Sequence, residues 1–386
     1  MWLRPNAPHR HRLRGAQALP PPPQVGEYKR KKLRSYFTYT SPRGGEGDRT
    51  PPRSGKMRWW GRPWFLAASL GFGALAVTAC AEPVPYTQSA TVSFRALQYV
   101  DQPKPLNANV HYAGGFELTA HGTDLLMGLS DLQIERDGDT LKIEANSDWG
   151  WIAHFELKPD GKGGLLDSPL TIDPLRGLDG KPLANKSFGD AEDLAIDPAT
   201  HDRFVSFEGQ QRIVRYPEPK TFKDQGEVLP LTGLPLFPAN EGMEGLTYIR
   251  EAGGDALLIG AESGGFWRCP VKTWACTEVQ GPPVPGFLYK LTSLAVLDYD
   301  DARRDHDILT LYRYYDPFTG PRNVLRLTRL QGDQLVTVTE LARIAPYDNF
   351  EGVAAVRTAT GYRIYLICDG LHEKDKPKIL MYDWTL

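Results

Sequence analysis

The sequence predicts an all-β protein, a five-bladed β-propeller, from three observations. First, a short phrase recurs in which polar or acidic residues precede an aliphatic residue that opens a predicted strand. Second, consecutive aliphatic anchors are separated by about 50–60 residues, close to the length of one propeller blade. Third, short apolar runs alternate with turn signals, and no helical period persists along the chain. The anchors are Leu132, Leu194, Leu246, Leu294 and Val353.

Each anchor opens a unit of about four predicted strands, the number found in one blade. In the third unit these strands are residues 246–250, 256–261, 265–269 and 275–279. The last unit contains only three apolar runs. We expect residues 90–99 to supply its fourth strand, so that amino- and carboxy-terminal strands pair and close the ring. The count becomes six blades if residues 115–124 belong to a degenerate blade.

The amino-terminal segment, residues 1–56, carries 13 basic side chains against 3 acidic ones and has no hydrophobic period. We interpret it as a basic segment that is disordered or untranslated. A short basic opening at Met57 then leads into an uninterrupted apolar run, residues 64–79. This run is short for a membrane span and suits the core of a secretory signal, so residues 57–81 are predicted to be a lipoprotein-type signal peptide.

The apolar run ends in Val77-Thr78-Ala79-Cys80, which resembles a bacterial lipobox. In such a sequence the cysteine receives the lipid and becomes the mature amino terminus. We therefore expect a lipid on Cys80, which anchors the protein to a membrane on the periplasmic side of the bacterial cell envelope. Ordinary cleavage after Ala81 is the alternative, and the length of the run disfavours a transmembrane anchor.

The other cysteines are interpreted from their surroundings. An exported chain meets an oxidising compartment, where disulfides persist. Cys269 and Cys276 bracket a short loop, a spacing that lets two neighbouring antiparallel strands bring them together, so we expect a disulfide between them. Cys368 lies inside an apolar run and is expected to be a buried, inert thiol.

Residues 82–386 are predicted to form a single propeller domain, and we expect a monomer. They carry 30 basic against 44 acidic side chains, a net charge of −14. An acidic body repels nucleic acid and attracts cations, so no nucleic-acid partner is expected, and the basic tail is the only candidate for one. The sequence contains no Gly-x-Ser-x-Gly elbow, His-Glu-x-x-His motif, phosphate loop or dinucleotide fingerprint.

The recurring phrase also predicts a position for a site. Each phrase opens the innermost strand of a blade, and the second strand returns antiparallel, so the start of one and the end of the other lie on the same rim. In the fourth unit Arg313 takes the place of an acid. The carboxylates predicted to gather at this rim are Glu192, Glu244, Glu351, Asp148, Glu208, Glu262 and Asp369.

Converging carboxylates raise one another's pKa values unless a cation neutralises them. Oxygen ligands without His or Cys clusters favour a hard ion, Ca²⁺ or alternatively Mg²⁺, over zinc. Arg313, together with Lys290, is placed to hold an anionic group such as a phosphate. The structural alternative is that these polar residues accept hydrogen bonds from loop N–H groups, and that Arg313 forms a salt bridge to a rim carboxylate.

Three segments of the chain resemble a known family, the bacterial phytase-like proteins described as having the esterase-like activity of phytase. They are Asp190-Ala191-Glu192-Asp193-Leu194-Ala195-Ile196, Asn240-Glu241-Gly242-Met243-Glu244-Gly245-Leu246-Thr247, and Asn349-Phe350-Glu351-Gly352-Val353-Ala354-Ala355 with Ile364-Tyr365-Leu366-Ile367-Cys368-Asp369. The resemblance covers about residues 90 to 386. It implies an exported propeller whose recurring acids support a phosphodiesterase-like activity. Ser130 and Ser293 replace the Glu in the first and fourth units, so the expected site is asymmetric.

The resemblance therefore implies an envelope phosphoric ester hydrolase that depends on a divalent metal and acts on a small phosphoester or another anionic ligand. The expected metal ligands are Glu192, Glu244 and Glu351. Asp369 or Glu262 is expected to act on water, and Arg313 to orient the phosphate. Two other functions stay open: a non-catalytic propeller lipoprotein that binds a ligand or an envelope partner, and a calcium-dependent lactone hydrolase suggested by fold-level analogy.

Overall fold

A computed structural model describes residues 86–98, 107–183, 185–302, 306–316, 318, 320–344, 348–370 and 376–386. The predicted basic segment 1–56, the predicted signal peptide 57–81 and Cys80 lie outside the described residues. No helix in these described ranges has the length and apolar character needed to cross a bilayer.

The described chain is built from strands that form four-stranded blades in sequence order. The first blade is β3 (Leu129–Asp137), β4 (Thr140–Ser147), β5 (Trp151–Leu157) and β6 (Ser168–Pro174). The second is β7 (Ala191–Ile196), β8 (Arg203–Phe207), β9 (Arg212–Tyr216) and β10 (Glu227–Val228). The third is β11 (Met243–Ile249), β12 (Ala256–Ala261), β13 (Phe266–Pro270) and β14 (Thr277–Val279). The fourth is β15 (Lys290–Val296), β16 (Asp307–Asp316), β17 (Gly320–Gln331) and β18 (Gln334–Ile344).

The fifth blade combines the two ends of the described chain. It contains β19 (Phe350–Arg357), β20 (Gly361–Cys368), β21 (Lys378–Thr385) and, as its outer strand, β2 (Val110–His121). A short helix, α1 (Lys186–Gly189), precedes the second blade. The innermost strands β3, β7, β11, β15 and β19 neighbour one another in cyclic order. This is the predicted all-β, five-bladed propeller.

The ring closes by pairing amino- and carboxy-terminal strands, as predicted, but with a different strand. The partner of β21 is β2, whose Phe116 lies opposite Ile379, and not residues 90–99. Gly115 in β2 permits the close approach, because a Cβ there would lie 2.8 Å from the Ile379 carbonyl oxygen. Since residues 115–121 belong to this outer strand, they form no degenerate sixth blade.

The expected closing segment forms β1 (Gln88–Ala96), which pairs with β2 on one side and β6 on the other. It therefore joins the outer edges of the fifth and first blades into one nine-stranded sheet. This strand covers the outer edges of β2 and β6, which would otherwise face solvent. Every described strand lies within residues 88–385, so residues 82–386 contain all of them.

The inner strands are apolar along most of their length because other blades cover both of their faces. All seven residues of β11 and all six of β12 are buried. The outer strands are more open to solvent, as in β1, where Val92 is the one fully covered position. The anchors predicted from the sequence, such as Leu132, Leu194 and Leu246, are fully buried between blades.

Each recurring phrase forms a β-bulge at the start of its inner strand. In the third blade Met243 pairs with Ala261 and Gly245 with Gly260, which leaves Glu244 without a partner in the ladder. The same shift in register occurs in the other four blades. A bulge bends the strand and re-aims the extra side chain. The residues in these bulges are Ser130, Glu192 with Asp193, Glu244, Thr292 and Glu351.

Three buried polar residues, Asp131, Asp193 and Ser293, meet at the centre of the ring, and we call them the axial cluster. Asp193 Oδ2 accepts hydrogen bonds from the backbone N–H groups of Leu246 (2.7 Å) and Leu294 (3.1 Å). Ser293 donates its hydroxyl to Asp131 Oδ1 at 3.1 Å. The bonds link inner strands of different blades, so the axial cluster holds the blades in register.

Candidate functional site

The candidate site lies at the end of the ring where the inner strands begin, which we call the rim. In four blades the residue after the second strand donates its backbone N–H to the carbonyl group of the residue that precedes the inner strand, and in the fourth blade Lys290 pairs with Arg313. The four N···O distances are 2.8 Å for Asp148 to Gly128, 2.9 Å for Glu208 to Asp190, 2.8 Å for Glu262 to Gly242 and 3.3 Å for Asp369 to Asn349. This repeated bond places the ends of both strands side by side.

The bulges correct one sequence assignment. The residue that replaces Glu in the fourth blade is Thr292, which lies in the bulge, and not Ser293. Ser293 takes the following position, which is held by Asp131 and Asp193 in the first two blades. Glu192, Glu244 and Glu351 lie at the rim, whereas Asp131, Asp193 and Ser293 form the axial cluster, so the two sets of polar residues have separate surroundings.

Arg313 is held by rim side chains. Its Nη1 forms an ion pair with Glu351 and donates to Asn349 Oδ1 at 2.8 Å, while Nη2 lies 3.3 Å from Glu262 Oε1. Asn349 Nδ2 in turn donates to Glu351 Oε1 (2.6 Å) and Asp369 Oδ2 (2.8 Å). Arg313 therefore forms the salt bridges that the sequence offered as its structural role, and Asn349 links it to Asp369.

Two lysines neutralise other parts of the rim. Lys186 Nζ lies 2.5 Å from Asp148 Oδ2 and 2.8 Å from Asp190 Oδ1, and so connects the first and second blades. Lys290 Nζ lies 3.1 Å from Glu262 Oε2. These ion pairs are charge-assisted and partly screened from water. They leave one region of the rim with carboxylates and no described cation in contact.

That region contains Glu192 and Glu244, which are only 8% and 9% exposed. Within the described part of the chain, neither carboxylate accepts a hydrogen bond or forms an ion pair. Burial raises the pKa of Glu192 well above its usual value, and the neighbouring Glu244 raises it further. Burial likewise raises the pKa of Glu244, although Arg313 opposes the shift. Glu208, beside them, accepts one hydrogen bond, from the Gly242 N–H at 3.0 Å.

These carboxylates form two groups of three, within each of which one oxygen per residue lies within 4.8 Å of the others. The groups are Asp190, Glu192 and Glu208, and Glu208, Glu244 and Glu262. Glu208 belongs to both. The predicted set of Glu192, Glu244 and Glu351 is not one of these groups, and Glu351 is instead held in an ion pair with Arg313.

The remaining rim carboxyls also have raised pKa values. Burial raises the pKa of Glu351 to about 8, against the effect of Arg313. Burial raises the pKa of Asp148 to about 6, and it raises the pKa of Asp369 as well. In the first blade, Ser130 Oγ and Asp148 Oδ1 are buried without a hydrogen-bond partner among the described residues. The part of the ring enclosed by the rim, which we call the mouth, is thus polar and acidic. The described side chains satisfy only some of its hydrogen-bonding groups.

Asp190, Asn349 and Lys186 also belong to the site, although the repeat did not predict them. Asp190 and Asn349 occupy the position before the inner strand, equivalent to Lys290 in the fourth blade. A signal for them was present, since both belong to the segments that carry the family resemblance. Lys186 lies in α1, in a connection that has no counterpart in the repeat, so the repeat could not reveal it.

The cysteines lie away from the unpaired carboxylates. The sulfur atoms of Cys269 and Cys276 are 2.06 Å apart and form a disulfide next to β13 and β14. Cys368, at the end of β20, is free and buried, and burial raises the pKa of its thiol. The Lys378 backbone N–H lies 3.1 Å from its sulfur. These positions agree with a structural role for all three residues.

The structure is a β-propeller protein with carboxylates gathered at one rim of the ring. The family model for phytase-like proteins, described as having the esterase-like activity of phytase, matches residues 124–370, more than half of the chain. The chain belongs to this phytase-like family. No curated protein sequence gives a significant match.

Solved structures with a similar arrangement include the major allergen Mala s 1 of Malassezia sympodialis and the hydrazine synthase of Kuenenia stuttgartiensis. The allergen is 12% identical, with 73% of this chain and 92% of the allergen chain covered at a TM-score of 0.39. The synthase is 9% identical, with 64% of this chain and 58% of the synthase chain covered at a TM-score of 0.34.

Proposed function

We propose that this protein is a metal-dependent hydrolase of phosphoric esters that acts at the rim. One observation carries the proposal: Glu192 and Glu244 are buried carboxylates that no described side chain neutralises. Buried charges in proteins are paired or coordinate metals. Membership of a family described by an esterase-like activity of phytase supports hydrolysis of a phosphoric ester as the reaction.

The residues present fit a hard divalent cation. The two groups that share Glu208 offer only carboxylate oxygens, and Ca²⁺ or Mg²⁺ prefers such ligands. Either group would hold an ion: Asp190, Glu192 and Glu208 on one side, or Glu208, Glu244 and Glu262 on the other. A bound divalent ion polarises a phosphoryl oxygen and lowers the pKa of coordinated water.

Arg313 would orient the phosphate. Its guanidinium lies close enough to Glu244 to oppose the rise in the pKa of that carboxyl, and it is 22% exposed, so an anionic group can reach it from the mouth. A guanidinium group can donate two parallel hydrogen bonds to one phosphate group. Glu262 and Glu351 would hold the guanidinium in place while the phosphate binds. Lys290, which already contacts Glu262, supplies a second positive charge at the same mouth.

Asp369 would take a proton from water. Burial raises its pKa, and Asn349 Nδ2 donates a hydrogen bond to its carboxylate. In hydrolysis, the water oxygen forms a bond to phosphorus and the ester P–O bond breaks. Asp369 accepts the proton that the water loses, and the departing alkoxide takes a proton from solvent.

The principal test replaces both unpaired carboxylates. We expect Glu192→Gln with Glu244→Gln to abolish hydrolysis of a generic phosphodiester, measured on residues 82–386, to the same extent as a chelator. The metal-free variant should also melt at a higher temperature than the metal-free wild type, because a buried uncompensated charge has been removed. Glu135→Gln, an exposed Glu at the opposite end of the inner strand β3, is the matched control and should change neither quantity.

Hydrolysis and melting temperature, measured together, distinguish a role of the two carboxylates in catalysis from a role in folding. A variant that is less stable and inactive would indicate that the carboxylates hold the ring together, which contradicts a metal site. Full activity of the double variant would exclude this mouth as the reaction centre. Metal content of the purified proteins, measured by atomic emission, should show loss of the divalent ion in the double variant and retention in Glu135→Gln.

A second prediction concerns the role of Arg313. Arg313→Gln should lower kcat/KM for a phosphodiester by at least about 100-fold, because a charge-assisted bidentate contact to phosphate is lost. Arg313→Lys should recover part of kcat/KM, since a point charge remains. Arg363→Gln, which removes an ion pair to Asp383 in the fifth blade, is the control. Equal activity of Arg313→Gln and the wild type would exclude phosphate binding by this residue.

A further inference from the structure

Exposed apolar side chains are concentrated on the connections that project from the rim. Leu236, in the β10–β11 connection, is 92% exposed, and Phe287, in the β14–β15 connection, is 96% exposed. Leu288, Tyr315 and Phe188 are also exposed at the rim end of the second to fourth blades. We call these five residues the apolar tips. Phe188 lies in α1, Tyr315 near the end of β16, Leu236 before β11, and Phe287 with Leu288 before β15, all at the rim end of the second to fourth blades.

The opposite end of the ring has a different character. Its connections include short polar turns, such as the one between β3 and β4 and the one between β17 and β18. Among the described residues, the large apolar side chains exposed on this end are Leu166 and Leu386. Single exposed apolar residues are normal, but several on one face mark an interaction surface.

The chain reaches the propeller at the same end as the apolar tips. Gln88, the first residue of β1, pairs with Ile172, next to the rim end of β6. Thr87 donates its hydroxyl to Asp173, also at this end. Only residues 81–87 separate Cys80 from β1. Fully extended, they span at most about 25 Å, at about 3.3–3.6 Å per residue. A lipid on Cys80 would hold the rim, not the opposite face, next to the bilayer.

We propose that the rim docks on a lipid bilayer through the apolar tips, so that the carboxylate mouth opens onto the membrane surface. A lipid tether alone leaves the orientation of the ring open, and a contact made by protein side chains fixes it. The apolar tips provide this contact by inserting into the interface. The acidic body is repelled by anionic lipid, so the expected surface is zwitterionic. This docking does not depend on the proposed hydrolase activity.

The test uses residues 82–386, which contain every described strand of the ring and lack Cys80. Wild-type protein is floated with phosphatidylcholine vesicles, and its partition coefficient is compared with that of two double variants. Leu236→Asp with Phe287→Asp should lower the coefficient at least tenfold. Leu166→Asp with Leu386→Asp, on the opposite end, should lower it less than twofold. Unchanged melting temperatures show that both variants are folded, as their exposure predicts.

A direct readout of insertion completes the experiment. Leu236→Cys gives a single accessible thiol, because Cys368 is buried and the other two cysteines are joined. An environment-sensitive dye on this thiol should shift to shorter wavelength with vesicles and be quenched by a lipid-embedded quencher, whereas a dye on Leu166→Cys should not. Equal partition of both double variants, absence of vesicle binding by the wild type, or an unshifted dye at position 236 would each overturn the proposal.

Discussion

Asp193→Ala is expected to lower the free energy of unfolding by about 4 kcal/mol, a large effect for a single substitution. The Asp193 carboxyl is fully buried and accepts the N–H groups of Leu246 and Leu294, which belong to two other blades. Alanine leaves both groups buried and unsatisfied, at a cost of about 1–3 kcal/mol each, and adds a cavity. Urea denaturation of residues 82–386 measures the loss.

The matched variant is Asp193→Asn. Burial raises the pKa of Asp193 well above its usual value, and the nearby Asp131 raises it further, which favours one proton on this pair of carboxyls. An asparagine amide reproduces this arrangement, since its nitrogen donates to Asp131 and its oxygen accepts the two N–H groups. We expect it to retain most of the stability. If both variants unfold at the same urea concentration, the axial cluster does not join the blades.

The second large effect is a stability of the metal-free protein that decreases as the pH rises. Burial raises the pKa of Glu351 to about 8 and that of Asp131 to about 6, and the pKa values of Glu192 and Glu244 also rise. A carboxyl with a higher pKa in the folded than in the unfolded state binds protons more tightly when folded. Its contribution is therefore present below the unfolded pKa and is lost as the pH rises through the folded pKa.

The metal-free protein should consequently melt at a lower temperature at pH 8 than at pH 5. Each unit of raised pKa costs about 1.4 kcal/mol once the group is ionised, so several such groups together change stability by several kcal/mol. Carboxylates with lowered pKa values, such as Glu340, titrate below this window. Added Ca²⁺ should restore the melting temperature at pH 8 and have little effect at pH 5. A melting temperature that rises steadily between pH 5 and pH 8 without metal would contradict this account.

The blade count could be predicted because it depends on buried aliphatic residues at regular spacing. Leu132, Leu194 and Leu246 must be covered on both sides, and the sequence therefore repeats them. The carboxylate rim followed from the antiparallel return of each second strand. The separation of the polar residues into a rim set and the axial cluster could not be predicted from the sequence. It depends on bulges that aim Thr292 and Ser293 in different directions, and a bulge leaves no distinct composition in the sequence.

The choice of ion pairs could not be predicted either. Glu192, Glu244 and Glu351 occupy equivalent bulges, so the repeat treats them alike. Their difference arises from Arg313, which is close enough to pair with Glu351 alone among the three. Likewise, residues 110–121 close the ring in place of residues 90–99 because Gly115 allows close contact with β21, although glycine weakens the strand signal.

The strand that completes the fifth blade sets the order in which the propeller can be assembled. Val110 lies opposite Trp384, so the two partners are neighbours in space although almost the whole described chain separates them in sequence. Contacts of such long range are slow to form, because the loop-closure entropy must be overcome first. The blades can pair internally as each emerges, but the ring stays open until β21 is available. Assembly of the mouth therefore waits until β21 has been synthesised and has paired with β2.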